Sequence, residues 1–65
     1  MMKPNKIKAL LVENGITQTS IARELGISTT TVAKTIVGGF VSRRTRMLIA
    51  EKAQVPFEKM WGQAA

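Results

Sequence analysis

The side chains of this chain that could do chemistry fall into two short clusters. One is the hydroxyl run Ser28-Thr29-Thr30-Thr31, followed by Lys34, and the other is Ser42-Arg43-Arg44. Both offer hydrogen-bond donation and positive charge. Neither offers acid–base or nucleophilic chemistry. The 65 residues include no histidine and no cysteine, and the only carboxylate side chains are Glu13, Glu24, Glu51 and Glu58. Histidine is the commonest general base and metal ligand, and without cysteine there is no disulfide framework or thiolate zinc site. The composition therefore predicts binding rather than catalysis, with no catalytic residue, metal, cofactor or small-molecule substrate.

The charge suggests what is bound. Ten Lys and Arg against four acids give a net charge of +6 and a pI near 10.6. The excess is uneven: from Thr29 to Ile49 there is no acid, and the stretch carries Lys34, Arg43, Arg44 and Arg46. Such a stretch fits a polyanion, nucleic acid before others; the competing reading is charge for solubility alone. No apolar run approaches the ~20 residues of a membrane span. The opening "MMKPNK" has no apolar segment behind it to make a signal peptide. A cytoplasmic protein with no membrane partner is expected.

Short helices must position these groups. Breakers divide the chain into segments at about 4–14, 18–25, 29–37, 43–53 and 56–61, which predicts a compact all-α, five-helix single domain over residues 1–65. Pro4 suits a first helical position, and Asn14-Gly15 a left-handed exit. Thr17, Ser28 and Ser42 are good N-caps. Gly26 ends the second segment and Gly38-Gly39 the third. The fourth is expected to bury Met47, Ala50 and one or both of Leu48 and Ile49, and Pro56 to open the fifth. "IVGGFVS" could pass for a hairpin, but the helical spacing of residues 43–53 favours a turn there between two helices.

The stretch "TQTSIARELGISTTTVAKTIV" then has a mechanical reading. Two helices joined by a three- to four-residue turn containing glycine make a helix-turn-helix. Ala22 is small where the second helix crosses, Gly26 makes the turn, and Ile21, Leu25, Ile27 and Val32 fill the wedge. The hydroxyl run falls at the N-terminus of the second helix, the end that enters the major groove in this motif. There, hydroxyls and free amides suit phosphate and base-edge contacts. Thr29, Thr30, Ala33 and Lys34 share the outward face, while Val32 and Ile36 face inward.

With these residues in place the sequence resembles the lambda-repressor-like helix-turn-helix superfamily. "TQTSIARELGISTTTVAKTI" matches its pattern in register, and the likeness runs from about Ile7 to Trp61. Within the superfamily it most resembles the Ner-like phage regulators, through "TTTVAKTIV" and the tail "LIAEKAQVPFEKMWG". The resemblance implies a repressor-type, sequence-specific regulator of a phage or prophage that binds double-stranded operator DNA as a homodimer, in a nucleoid-associated setting. It implies base reading by Thr29, Thr30 and Lys34, with Ala33 against a thymine methyl. Phosphate contacts would come from Gln18, Thr19, Ser28, Ser42, Arg43 and Arg44. Three features depart from the pattern: Thr35 stands where many members have a large aliphatic, Gln54 where many have glycine, so that the fourth helix is expected to end differently, and Gly38-Gly39 is expected to make the loop after the third helix more mobile than usual.

Other features admit two readings. Trp61 is either core or a dimer anchor, since aromatic residues are enriched in interface hot spots. Lys3, Lys6 and Lys8 either form an arm or first-helix contact to phosphate or do nothing specific. Arg23 and Glu24 read as a solvated face. Two other functions share the same surface: a DNA-binding subunit of a recombination or transposition complex, and an antitoxin-type interaction module. An antitoxin needs a toxin-binding segment, and after Trp61 only "GQAA" follows.

Overall fold

Hydroxyl side chains, a proline and left-handed residues mark where each helix starts and stops. The computed structural model describes residues 1–39 and 42–62. It contains α1 (Pro4–Glu13), α2 (Gln18–Leu25), α3 (Thr29–Val37), α4 (Arg43–Ala53) and α5 (Phe57–Trp61). Among the described residues there is no strand. Phe40 and Val41, where the sequence was read as turning the chain, lie outside them, as do residues 63–65.

The caps form as local chemistry dictates. Thr17 Oγ1 accepts from the Ser20 amide at 3.0 Å, and Ser28 Oγ from the Thr31 amide at 3.1 Å. Ser42 Oγ accepts from the Thr45 amide at a longer 3.4 Å. Pro56 stands just outside α5 as its N-cap, with ψ 142°, so this helix is one residue shorter than the sequence suggests. At the end of α1 the left-handed conformation falls on Gly15, at φ +70°, and not on Asn14, at φ −93°. Asn14 instead uses its side-chain amide as a clamp, donating to the Leu10 carbonyl at 2.7 Å and to the Ala53 carbonyl at 3.3 Å. That second bond joins the ends of α1 and α4.

Gln54 overturns an expectation. It takes up the left-handed conformation itself, at φ 59°, and its amide caps the carbonyls of Ala50 and Glu51. The fourth helix therefore ends as it would with glycine, at a cost of roughly 1 kcal/mol for an L-residue in that region.

Every helix contributes to one core, made of Ile7 and Leu11, Ile21 and Ala22, Val32 and Ile36, Ile49, Ala50 and Ala53, and Met60 and Trp61. Helices this short are marginal in isolation, so packing of these faces holds them. Leu10, Leu25 and Ile27 are only partly buried at the edge of the core. Met47 is a correction: it is 53% exposed, and the inward face of α4 is Thr45, Ile49, Ala50 and Ala53. Trp61 belongs to the core, at 6% exposure, with its indole Nε1 donating to the Arg46 carbonyl at 2.9 Å. The chain start is also fixed. The Met2 amide donates to the Met60 carbonyl at 2.7 Å beside Lys3, the N-cap of α1, and Lys6 and Lys8 lie exposed on α1. The described helices include none long and apolar enough to cross a membrane.

Candidate nucleic-acid interface

The positions singled out as phosphate contacts share one structural property. Gln18 and Thr19 are the first two residues of α2, Ser28 is the N-cap of α3, and Ser42, Arg43 and Arg44 are the N-cap and first two residues of α4. They therefore sit where backbone amides lack an intrahelical acceptor and the helix dipole is positive. No acidic side chain occupies the first turn of α2, α3 or α4, so nothing within those turns offsets that potential.

The third helix divides its residues sharply. Val32, Thr35 and Ile36 are fully buried. Thr35, polar where an aliphatic would be usual, is satisfied because its Oγ1 donates to the Thr31 carbonyl at 2.9 Å. On the other side Thr29, Thr30 and Lys34 are exposed, and Ala33 is half-buried. Among the described residues the side chains of Thr29, Thr30 and Lys34 make no hydrogen bond or ion pair, whereas Ser28 and Thr31 are committed to each other, Oγ to Oγ1 at 2.8 Å. The hydroxyl run is thus two side chains that cap the helix, flanking two whose hydroxyls make no hydrogen bond among the described residues.

The basic stretch is less uniform than its composition suggests. Arg46 is half-buried with its guanidinium over the Trp61 ring, 5.0 Å from the centroid, so it does not belong to the open positive surface. Arg43 is exposed but anchored, its guanidinium 5.1 Å from the centroid of Phe57. Stacking of this kind fixes a cation in place while leaving its hydrogen-bonding edge available. Arg44 turns toward a groove of about 450 Å³ between α2 and α4, which it lines with Leu25, Arg43, Met47, Leu48 and Glu51. Glu24, read as solvated, pairs with Lys52 at 3.2 Å across the same two helices.

The roles of Phe57 and Trp61 as platforms for arginine were not read from the sequence, because a stack across two helices has no local signature. The groove did have one: Arg44, Met47, Leu48 and Glu51 recur at i, i+3, i+4 and i+7, the spacing of a single helix face. Comparison of the chain with protein families, with curated proteins and with solved structures gives no match.

Proposed function

We propose that this chain is a sequence-specific double-stranded DNA-binding regulator in which α2 and α3 act as a helix-turn-helix and α3 reads the major groove. The observation that carries the reading is the exposed face of α3: Thr29, Thr30 and Lys34 lie exposed on one helix, and among the described residues their side chains make no hydrogen bond or ion pair. Short side chains at the helix start permit close approach to base edges, and a lysine one turn on can reach a guanine O6 or N7. Ala33 offers a methyl contact to thymine. Gln18, Thr19, Ser28, Ser42 and Arg43 supply phosphate contacts from three helix N-termini. The resemblance to lambda-repressor-like domains, and to Ner-like regulators among them, supports an operator-binding role of phage or prophage type.

A domain of this size offers few base contacts, so one copy discriminates poorly. Two copies related by a two-fold axis place their reading helices about 34 Å apart, in successive major grooves. The preferred site is then an inverted repeat with half-sites about 10 base pairs apart.

Selection from a random DNA pool tests this. The wild type should enrich an inverted repeat. Lys34→Ala should weaken binding by roughly 1–3 kcal/mol and relax one base position per half-site. Arg43→Ala should weaken all sequences about equally. Recovery of no enriched sequence would defeat the operator reading, and an unchanged motif with Lys34→Ala would make Lys34 a phosphate contact.

A further inference from the structure

Two charges on one face of α4, Arg44 and Glu51, are placed against that helix's own dipole, although Lys52 in its last turn is placed with it. Arg44 lies in the first turn, where an anion is favoured, and Glu51 near the last, where a cation is favoured. Neither takes part in an ion pair among the described residues, and both are exposed. Between them lie Met47, 53% exposed, and the half-buried Leu48, which with Leu25 of α2 form the apolar part of the groove.

We infer that this face of α4 is a self-association surface and that its occupant is the same face of a second copy, packed antiparallel across a two-fold axis. The spacing carries the assignment. The midpoint between positions 44 and 51 falls between Met47 and Leu48. A dyad at that point sets Arg44 of each copy against Glu51 of the other, and Met47 of each against Leu48 of the other, beside Leu25. Arg44 and Glu51 are two helical turns apart, about 10 Å, so both pairs are within reach of one antiparallel helix crossing. The surface is self-complementary, as an isologous interface must be. The arrangement also explains the misplaced charges, since each copy's Glu51 carboxylate comes to the positive end of the other's α4. Methionine, flexible and unbranched, suits the contact at the axis.

A stable interface buries about 800 Å² on each partner, a large share of the 4249 Å² that the whole chain exposes. A concentration-dependent dimer is therefore the expectation for one helix face. The assignment gives Arg44 a partner carboxylate in place of a phosphate, and it does not depend on the DNA reading.

Sedimentation equilibrium without DNA, over a wide concentration range, is the test. The wild type should show a concentration-dependent monomer–dimer equilibrium. Arg44→Glu and Glu51→Arg should each weaken it about tenfold or more, because each replaces two attractive pairs with two like-charge contacts. Both substitutions suit the α4 dipole, so the helix should persist, with circular dichroism as the check. Mixing the two variants should restore a heterodimer, in which both cross-pairs are attractive again, and the double variant should restore the homodimer. A wild type that stays monomeric throughout, which leaves the groove to another protein, overturns the assignment, as does failure of the mixture to associate. Loss of DNA binding by Arg44→Glu with self-association unchanged returns Arg44 to the phosphate contacts and also overturns it. Absence of any enriched DNA site with the charge-swap pattern intact leaves it standing.

Discussion

Trp61 and Arg46 hold each other twice. The indole Nε1 donates to the Arg46 carbonyl at 2.9 Å, and the Arg46 guanidinium lies 5.0 Å from the centroid of the same ring. Through this pair the single-turn α5 is locked against α4, although five residues could not hold a helix by themselves.

Removing the pair should therefore unfold more than α5. Trp61→Phe keeps most of the apolar volume and loses the hydrogen bond, an expected cost of about 0.5–1.5 kcal/mol plus a small cavity term. Trp61→Ala should cost about 3–5 kcal/mol. A domain of this size has about 5 kcal/mol in total, so the alanine variant should be largely unfolded. Urea titration followed by circular dichroism measures both, and a midpoint unchanged in Trp61→Ala would place α5 outside the cooperative unit.

Thr35 tests how much a buried hydroxyl contributes. Its Oγ1 donates back to the Thr31 carbonyl, a bond that offsets burial of the hydroxyl without holding two elements together. Thr35→Val keeps the shape, so its stability should lie within about 1 kcal/mol of the wild type. Thr35→Leu should lose roughly 1–3 kcal/mol by overpacking, since the site is fully enclosed. Thermal melts of the two variants separate size from polarity: a large loss in Thr35→Val would mean the hydroxyl, not the volume, is what the site requires.

Gln54 and Gly26 offer opposite substitutions at the same backbone conformation. Gln54→Gly relieves an L-residue at φ 59° and should raise stability by about 0.5–1 kcal/mol. Gly26→Ala at φ +70° meets no neighbouring atom, so the loss of roughly 1 kcal/mol expected there is pure backbone strain. For a 60–100-residue domain each 1 kcal/mol moves the melting temperature by about 4–8 °C. A lower melting temperature for Gln54→Gly would show that the Gln54 side chain contributes something its backbone position does not reveal.

The salt dependence of DNA binding checks the electrostatic part of the proposal. A dimer neutralising about eight phosphates should show a log–log slope near −7, so affinity should fall by about four orders of magnitude between 50 and 200 mM salt. Arg43→Ala should lower the slope by about one for each phosphate contact removed. A flat response would remove the basic stretch from the binding surface.

The helix boundaries were readable because caps and stops are local: Thr17, Ser28 and Ser42 act on amides three residues away. The buried faces of α2 and α3 were readable from spacing for the same reason. The face of α4 was not. Helical spacing allows either Met47 or Thr45 to point inward, and only the positions of α1, α2, α3 and α5 around it decide. Hydrophobicity favours Met47, and the structure buries Thr45, whose hydroxyl finds Ser42 Oγ at 3.2 Å. Arg46 was misread for a related reason: a charge count sees a cation on the surface, whereas Trp61, fifteen positions on, draws it inward. The exposure of Thr29, Thr30 and Lys34 needed no such long-range information, since helical spacing alone puts them opposite Val32 and Ile36, whereas Ala33, placed with them, is half-buried.

The bond between the Met2 amide and the Met60 carbonyl brings the two ends of the fold side by side, with Gly62 also close to the nitrogen of Met1. The domain is thus nearly a closed ring already, and a short peptide bridge from Gly62 to Met1 could make it one without moving a helix. A covalent circle restricts only the unfolded chain, and for a loop of this length the loss of freedom is worth on the order of 4 kcal/mol. That is comparable to the stability expected of the whole linear domain, and the join would lie near the end of α3, where Met1 sits against Gly38.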